Sequence, residues 1–303
     1  MIYSANNSNF YYENNYECIN YYFNYIVDII KKILVDNPTL NVNILFNSNN
    51  KFNNIEFNNN NKLIKIGLNI EHTLVKKNGR DVGNNVVCGN VVDDNNEKYL
   101  VRIVDYDNLK NVNIVIDYSK PNIFNISSIT TCLSNKLVYI SPSIYHTNFI
   151  NNVRNITTLT TFIDINQPRR RDLLININKN NIQHINVNNC FDLNLLKTLY
   201  SNTKILINIH QTEHHHTFEE LRVLPALLCG VITICEKSPL SELIPYNDYI
   251  IWSGYDKIID KTLEVINNYD YYYNLIFKKE KKIHIDDLKN INYESLKKKI
   301  LEI

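Results

Sequence analysis

From residue 151 onward the chain repeats one pattern. A short, unbroken apolar run rich in β-branched residues is followed by a segment whose apolar groups recur at helical spacing. Strand-like runs are Leu159 to Ile163, Ile182 to Val187, Lys204 to Ile209, Val231 to Cys235 and Tyr249 to Trp252. Helix-like segments between and after them are Arg169 to Asn178, Phe191 to Tyr200, Phe218 to Leu228, a short Leu240 to Ile244, and a long Tyr255 to Phe277. A strand that is apolar without alternation is buried on both faces, so helices must cover a parallel sheet from above and below. Strand, helix, parallel strand connections are right-handed crossovers, which gives a doubly wound α/β domain over residues 151–275.

The first half alternates less regularly. Residues 17–35 carry Cys18, Tyr22, Tyr25, Ile29 and Ile33 near helical period, and Asn37-Pro38 stops that helix. Val42 to Phe46, Leu63 to Leu68, Tyr99 to Val104, Val112 to Ile116 and Leu137 to Ile140 read as strands, with a helix beginning near Pro121. A polar stretch at Asn151 to Asn155 marks the boundary, so the expected domains are 1–150 and 151–303.

Of 303 residues, 44% are hydrophobic and 21% charged, so a core can form. A net charge of +1 gives no bulk attraction to nucleic acid or an anionic membrane, and neither is an expected partner. About one residue in six is Asn, and Tyr and Ile are abundant. Their codons are AT-rich, which points to an AT-rich genome such as that of a large DNA virus or a protist. The six cysteines show no C-x-x-C spacing, so a reducing compartment is expected, and with it a cytoplasmic location, host cytoplasm if viral. The sequence shows no signal-peptide pattern and no stretch of about 20 apolar residues that would span a membrane.

One segment concentrates polar chemistry. Asn208-Ile209-His210-Gln211-Thr212 leaves an apolar strand, His214 to Thr217 continues it, and Phe218-Glu219-Glu220-Leu221-Arg222 enters a helix. In an open parallel sheet, ligands sit beyond the carboxyl ends of strands, where a helix N-terminus offers free N–H groups to phosphate or ribose oxygens. Thr217 reads as the N-cap, with Glu220 three residues on. Upstream, Arg169-Arg170-Arg171 follows the first strand of this half, and guanidinium matches phosphate oxygens in pairs. Consecutive residues diverge around a helix, so at most two of the three can meet one ligand. The adjacent histidines cannot readily share one tetrahedral ion, and no metal is expected there. Asp105-Tyr106-Asp107 follows an apolar run, the way a metal-binding D-x-D is presented in GT-A glycosyltransferases. That is a competing reading.

The run from Asn208 through Glu219-x-x-Arg222, Ala226-Leu227-Leu228-Cys229-Gly230 and Glu236-Lys237-Ser238 resembles the donor-binding core of GT-B glycosyltransferases, over roughly residues 158–275. The resemblance implies a GT-B-like α/β fold: two Rossmann-like domains with mostly parallel sheets facing a cleft, the last helices packing back on the first domain. It implies sugar transfer, hexosyltransferase-like, from a UDP- or GDP-sugar to a glycan, protein or small-molecule acceptor, without a metal or other cofactor. By position, Arg169, Arg170 and Arg171 would neutralise the diphosphate. Glu219 would face the sugar or ribose and Arg222 would brace it. Glu236 and Ser238 would close the pocket, with Asn208, His210 and Thr217 around the donor. Many retaining members carry two glutamates with seven residues between them, where this chain has Thr217 and Pro225, so retaining and inverting chemistry both stay open. An inverting transfer needs a base for the acceptor hydroxyl. The candidates are Glu71 and His72, then Asp117 at the end of a strand. A non-catalytic sugar-nucleotide- or glycan-binding protein of the same fold is the other alternative.

Overall fold

The computed structural model describes residues 1–14, 17–47, 60–70, 73–76, 90–92, 98–129, 131–150, 152–188, 190–214, 216–277 and 285–303. In the first half, β1 (Ile2–Ala5) and β2 (Ser8–Tyr12) form an antiparallel hairpin, followed by α1 (Asn20–Asp36), β3 (Val42–Phe46) and β4 (Lys62–Asn69). A small sheet follows, made of β5 (Leu74–Lys76), β6 (Asn90–Val92) and β7 (Lys98–Val101). Then come α2 (Tyr106–Leu109), β8 (Ile114–Asp117), α3 (Lys120–Ile129), α4 (Thr131–Ser134) and β9 (Leu137–Tyr139). The main sheet has the order β1-β2-β3-β4-β8-β9 and is parallel from β2 onward.

The second half holds β10 (Ile156–Thr160), α5 (Pro168–Lys179), β11 (His184–Asn186), α6 (Leu193–Ser201), β12 (Thr203–Asn208), α7 (Glu220–Leu228), β13 (Ile232–Glu236) and β14 (Ile250–Ser253). After these come α8 (Ile258–Asn267), α9 (Tyr269–Phe277) and α10 (Leu288–Glu302). Its sheet is parallel throughout, with the order β11-β10-β12-β13-β14. The architecture is the expected α/β one, with two mostly parallel sheets. No helix among the described residues is long and apolar enough to cross a membrane.

Burial follows the strand pattern. Ile205, Leu206, Ile207, Ile232 and Ile234 are fully buried between helix layers, as unbroken apolar strands require. The first sheet builds a separate core around Tyr22, Ile44, Ile64 and Ile116, and Leu296 and Ile300 of α10 belong to that core. Asn292 fastens α10 there. Its amide donates to Ser141 O and Tyr25 Oη, each at 2.9 Å, and its Oδ1 accepts from Ser141 N at 2.9 Å.

Several elements differ from the sequence reading. The β1–β2 hairpin was not expected, because an Asn-rich start carries no apolar run. The strand at Tyr99 is Lys98–Val101 and pairs in the small antiparallel sheet, a choice of partner that periodicity does not encode. The long helix at Tyr255 to Phe277 is a 3-10 turn (Tyr255–Lys257) followed by α8 and α9, broken at Asn268. The strand at Ile182 to Val187 shrinks to three residues at the sheet edge.

Helix α7 ends in a left-handed cap. Gly230 has φ +72°, its N–H donates to Leu227 O at 2.9 Å, and Val231 N–H donates to Ala226 O at 3.2 Å. Arg154 collects the neighbouring carbonyls, donating to Tyr200 O, Thr203 O and Cys229 O. A Cβ on Gly230 would lie 2.8 Å from Asn148 O and 3.0 Å from both Arg154 Nη2 and Tyr273 Oη. Gly230→Ala is therefore expected to cost about 2 kcal/mol or more, read as a lower urea midpoint with an unchanged slope.

Candidate functional site

The second sheet reverses its winding direction between β10 and β12. In open parallel sheets the crevice beyond the strand ends at such a point is where ligands bind. A cavity of about 370 Å³ opens there, a size that suits a small-molecule site. One wall comes from the first half: Cys18, Ile19, Tyr21, Ile70, Arg102 and Tyr118. Ile70 and Tyr118 directly follow β4 and β8, so carboxyl ends of strands in both sheets meet at this cavity. The facing wall includes Thr161, Asp164, Arg170, Gln211, Glu219 and Arg222, from the loops after β10 and β12 and the starts of α5 and α7.

Helix α5 begins with Pro168 at its first position, which suits the fixed proline φ and sets Arg169 and Arg170 in the first turn. Arg170 turns inward. Its side chain is 4% exposed, its guanidinium lies 4.7 Å from the Phe162 ring centroid, and its Nη2 is 3.5 Å from Glu219 Oε1. Arg222 pairs with Glu219 from the other side and donates to Asn208 Oδ1 at 3.1 Å. One carboxylate thus sits between two guanidiniums. Burial pulls both arginines down to about 10, and the cation of Arg170 adds to the shift of Arg222. Both remain charged at neutral pH. Arg170 Nε is buried and has no hydrogen-bond partner among the described residues.

Pro225 shapes the first turns of α7. Lacking an N–H, it leaves Leu221 O without the usual bond from the residue four ahead. Tyr21 Oη donates to that carbonyl at 3.0 Å. A proline inside a helix thereby creates an acceptor for a tyrosine of α1, and the hydrogen bond joins the two halves beside the cavity.

The other expected site residues are distributed as follows. Arg169 lies outside the cavity lining; it holds Glu236 Oε1 at 2.5 Å, donates to Thr212 O at 3.2 Å, and stacks on Tyr255. Glu236 also accepts the His210 N–H at 2.9 Å, and Ser238 Oγ is 3.3 Å from His210 Nε2. Arg169, Glu236, His210 and Ser238 therefore form a second cluster rather than the rim of the cavity. Arg171 also lies outside the cavity lining: its side chain is 59% exposed and lies beside Asp172, in line with at most two of the three arginines meeting one ligand. The N-cap reading of Thr217 is corrected. Helix α7 starts at Glu220 with Glu219 as its N-cap, and Thr217 Oγ1 instead accepts the Leu74 N–H at 3.1 Å. The neighbouring residues extend the small sheet, with Lys76 N–H on His214 O and His216 N–H on Leu74 O. The ring of His216 lies 5.1 Å from Tyr99 and 5.3 Å from His210, and burial pulls it down to about 4, so it is neutral.

Asp117 is fully buried and accepts from Asn69 Nδ2 at 2.6 Å, Ser119 N at 2.8 Å and Asn122 Nδ2 at 3.2 Å. Burial raises it to about 7 against those donors. Glu71 and His72 lie outside the described residues. Asp105 accepts from Asn108 and Asp107 pairs with Lys110 at the surface of α2, away from the cavity lining. Among the described residues no group of three or more His, Cys, Asp or Glu is arranged to hold a metal ion.

Sequence reasoning missed Arg102, Tyr21, Tyr118, Thr161 and Asp164. Thr161 and Asp164 carried a usable signal, since they follow the first apolar run of the second half, where strand ends face the crevice. Arg102 had none, because its position depends on the small sheet.

No protein-family model matches the chain. It is 32% identical over 177 residues to an uncharacterized protein of Acanthamoeba polyphaga mimivirus, across 51% of this chain and 62% of that protein. Its layout is similar to that of a mutant S. aureus TarM in complex with fondaparinux, alpha-GlcNAc-glycerol and UDP (TM-score 0.47, 13% identity, 86% of this chain, 54% of that one). A second TarM structure gives TM-score 0.45 at 15% identity over 86% of this chain and 53% of that one. The wall teichoic acid polymerase TagF gives 0.37 at 9% identity over 97% and 88%. The chain spans 62% of the length of the mimivirus protein and about half that of TarM. The residues of the crevice, and not these likenesses, carry the functional reading below.

Proposed function

We propose that this chain is a glycosyltransferase whose crevice binds a nucleotide-sugar, UDP- or GDP-linked, and passes the sugar to a glycan, protein or small-molecule acceptor. The observation that carries the reading is the Arg170–Glu219–Arg222 cluster at the reversal point of a parallel sheet. Breaking a sugar–diphosphate bond develops negative charge on the leaving phosphate, and fixed guanidiniums in a water-poor site stabilise it without reorganising. Three arginines against two carboxylates line the cavity, an excess of positive charge that suits a diphosphate. In this reading the arginines take the part a metal plays elsewhere, and Glu219 faces the sugar or ribose while holding both cations in place. The source is read as a large DNA virus and the location as host cytoplasm, on the Asn-rich composition and the mimivirus relative.

The alternative, a binding protein without turnover, is favoured by one observation: Asp117 is sealed behind its amide and backbone donors. A thermal-shift panel of UDP- and GDP-sugars with and without EDTA tests the reading. A bound donor at 100 times its Kd is expected to add about 2.7 kcal/mol, and EDTA is expected to leave the shift unchanged. A panel with no shift would count against nucleotide-sugar binding. A shift without transfer or donor hydrolysis would favour the binding protein.

A further inference from the structure

Directly behind the cavity, Glu220 is fully buried in the first turn of α7. It neighbours Glu219 in the chain, yet its surroundings are opposite. Tyr246 Oη donates to its Oε2 at 2.6 Å, while its Oε1 has no partner at hydrogen-bond distance among the described residues. The groups facing it from the first half are Ser119, just after β8, and Tyr139 of β9, whose hydroxyls both act on its carboxyl. Asp117 of β8 and Tyr22 of α1 complete the surroundings. Lys120 lies over the outer face of the Tyr139 ring and is exposed. Among the described residues no arginine, lysine or histidine pairs with Glu220. A second carboxyl, Asp117, acts on it.

A carboxylate so placed would be a fully buried charge beside a second carboxyl, surrounded by neutral hydroxyls and without a cation paired to it among the described residues, which costs more than a helix N-terminus returns. A protonated carboxyl fits better. It keeps Oε2 as the acceptor for Tyr246 and turns Oε1 into a donor that Ser119 Oγ or Tyr139 Oη can accept. Asp117 shows the contrast, because its oxygens are surrounded by donors.

We propose that Glu220 works as a neutral carboxylic acid, a positioning residue that fastens the start of α7 to the first sheet and so holds Glu219 and Arg222 at the crevice. Its link to ligand binding rests on the crevice reading given above. The direction of its titration agrees: burial is the main cause that raises it from 4.5 to about 8. An acid raised on folding contributes stability that is full below the unfolded value and is lost as pH climbs to the folded one. The window for Glu220 is thus about pH 4.5 to 8, overlapping that of Asp117 from about 3.8 to 7.

The test is the pH dependence of thermal unfolding and of UDP binding in the full chain and in Glu220→Gln, whose amide mimics the neutral acid. The expected result is a wild-type melting temperature that declines from about pH 5 to 8 and a shallower decline in the variant. UDP affinity is expected to agree within about twofold at pH 7. It should then fall about tenfold by pH 9 in the wild type and less than about twofold in the variant, the proton occupancy of a group near 8 setting the scale. Parallel profiles would overturn the proposal. So would a folded variant binding UDP tenfold more weakly at pH 7, or a variant that does not fold. If neither protein binds UDP, the crevice reading fails, and the unfolding profiles alone decide for or against a neutral Glu220.

Discussion

Arg170→Ala is expected to weaken binding of UDP or GDP at least tenfold, a loss of about 1.4 kcal/mol or more. The guanidinium is buried against Phe162, held by Glu219, and carries an Nε without a hydrogen-bond partner among the described residues. A phosphate oxygen supplying that bond would make a charge-assisted contact worth about 1.5–3 kcal/mol. Arg170→Lys keeps the charge but not the planar fork and is expected to fall between the two. Arg171→Ala is the control, expected to stay within about twofold of wild type because its side chain faces solvent. Calorimetry reads all three. Wild-type affinity in Arg170→Ala would remove the phosphate role from this residue and take with it the main support for a nucleotide-sugar.

Glu219→Ala is expected to abolish transfer while UDP affinity holds or rises. The carboxylate lies between Arg170 and Arg222, so its loss frees two cations for an anionic ligand but removes the group that sets their geometry. It also leaves two buried guanidiniums facing each other. Breaking a buried ion pair from one side costs about 3–5 kcal/mol, and the 13% exposure of Glu219 puts the expected loss near 3 kcal/mol. Urea denaturation measures that loss, and donor turnover measured in the folded variant separates chemistry from stability. Full turnover in Glu219→Ala would place the residue outside the reacting site and leave it as an ion-pair partner of structural value alone.

Both experiments concern residues that the sequence pointed to for reasons of position. Arg170 follows the first strand of the second half, and Glu219 stands at a helix start after an apolar strand, where parallel sheets expose carboxyl ends. The same logic proposed Arg169, Glu236 and Ser238 for the cavity, yet these gather one layer away around His210. Position along a strand end carries no information about which side of the sheet edge a side chain takes. Thr217 shows a different limit. Its spacing to Glu220 satisfied the capping pattern, but a β-strand edge from the first half competed for its hydroxyl and won.

Local chemistry in the chain was enough to determine that the second half is a parallel sheet between helix layers, because unbroken runs such as Ile205 to Ile207 have no other way to bury both faces. It pointed in the same way to the end of β12 and the start of α7 as borders of the crevice. The tertiary structure alone decided what closes that crevice: Tyr21, Arg102 and Tyr118 arrive from distant parts of the chain, through the packing of α1, the small sheet and the pairing of β4 with β8. It also decided that two adjacent glutamates differ, Glu219 paired with two arginines and Glu220 enclosed by hydroxyls. The physical reason is common to both. Periodicity records which residues must leave water, whereas charge state and contact depend on which distant groups share the space they leave it for.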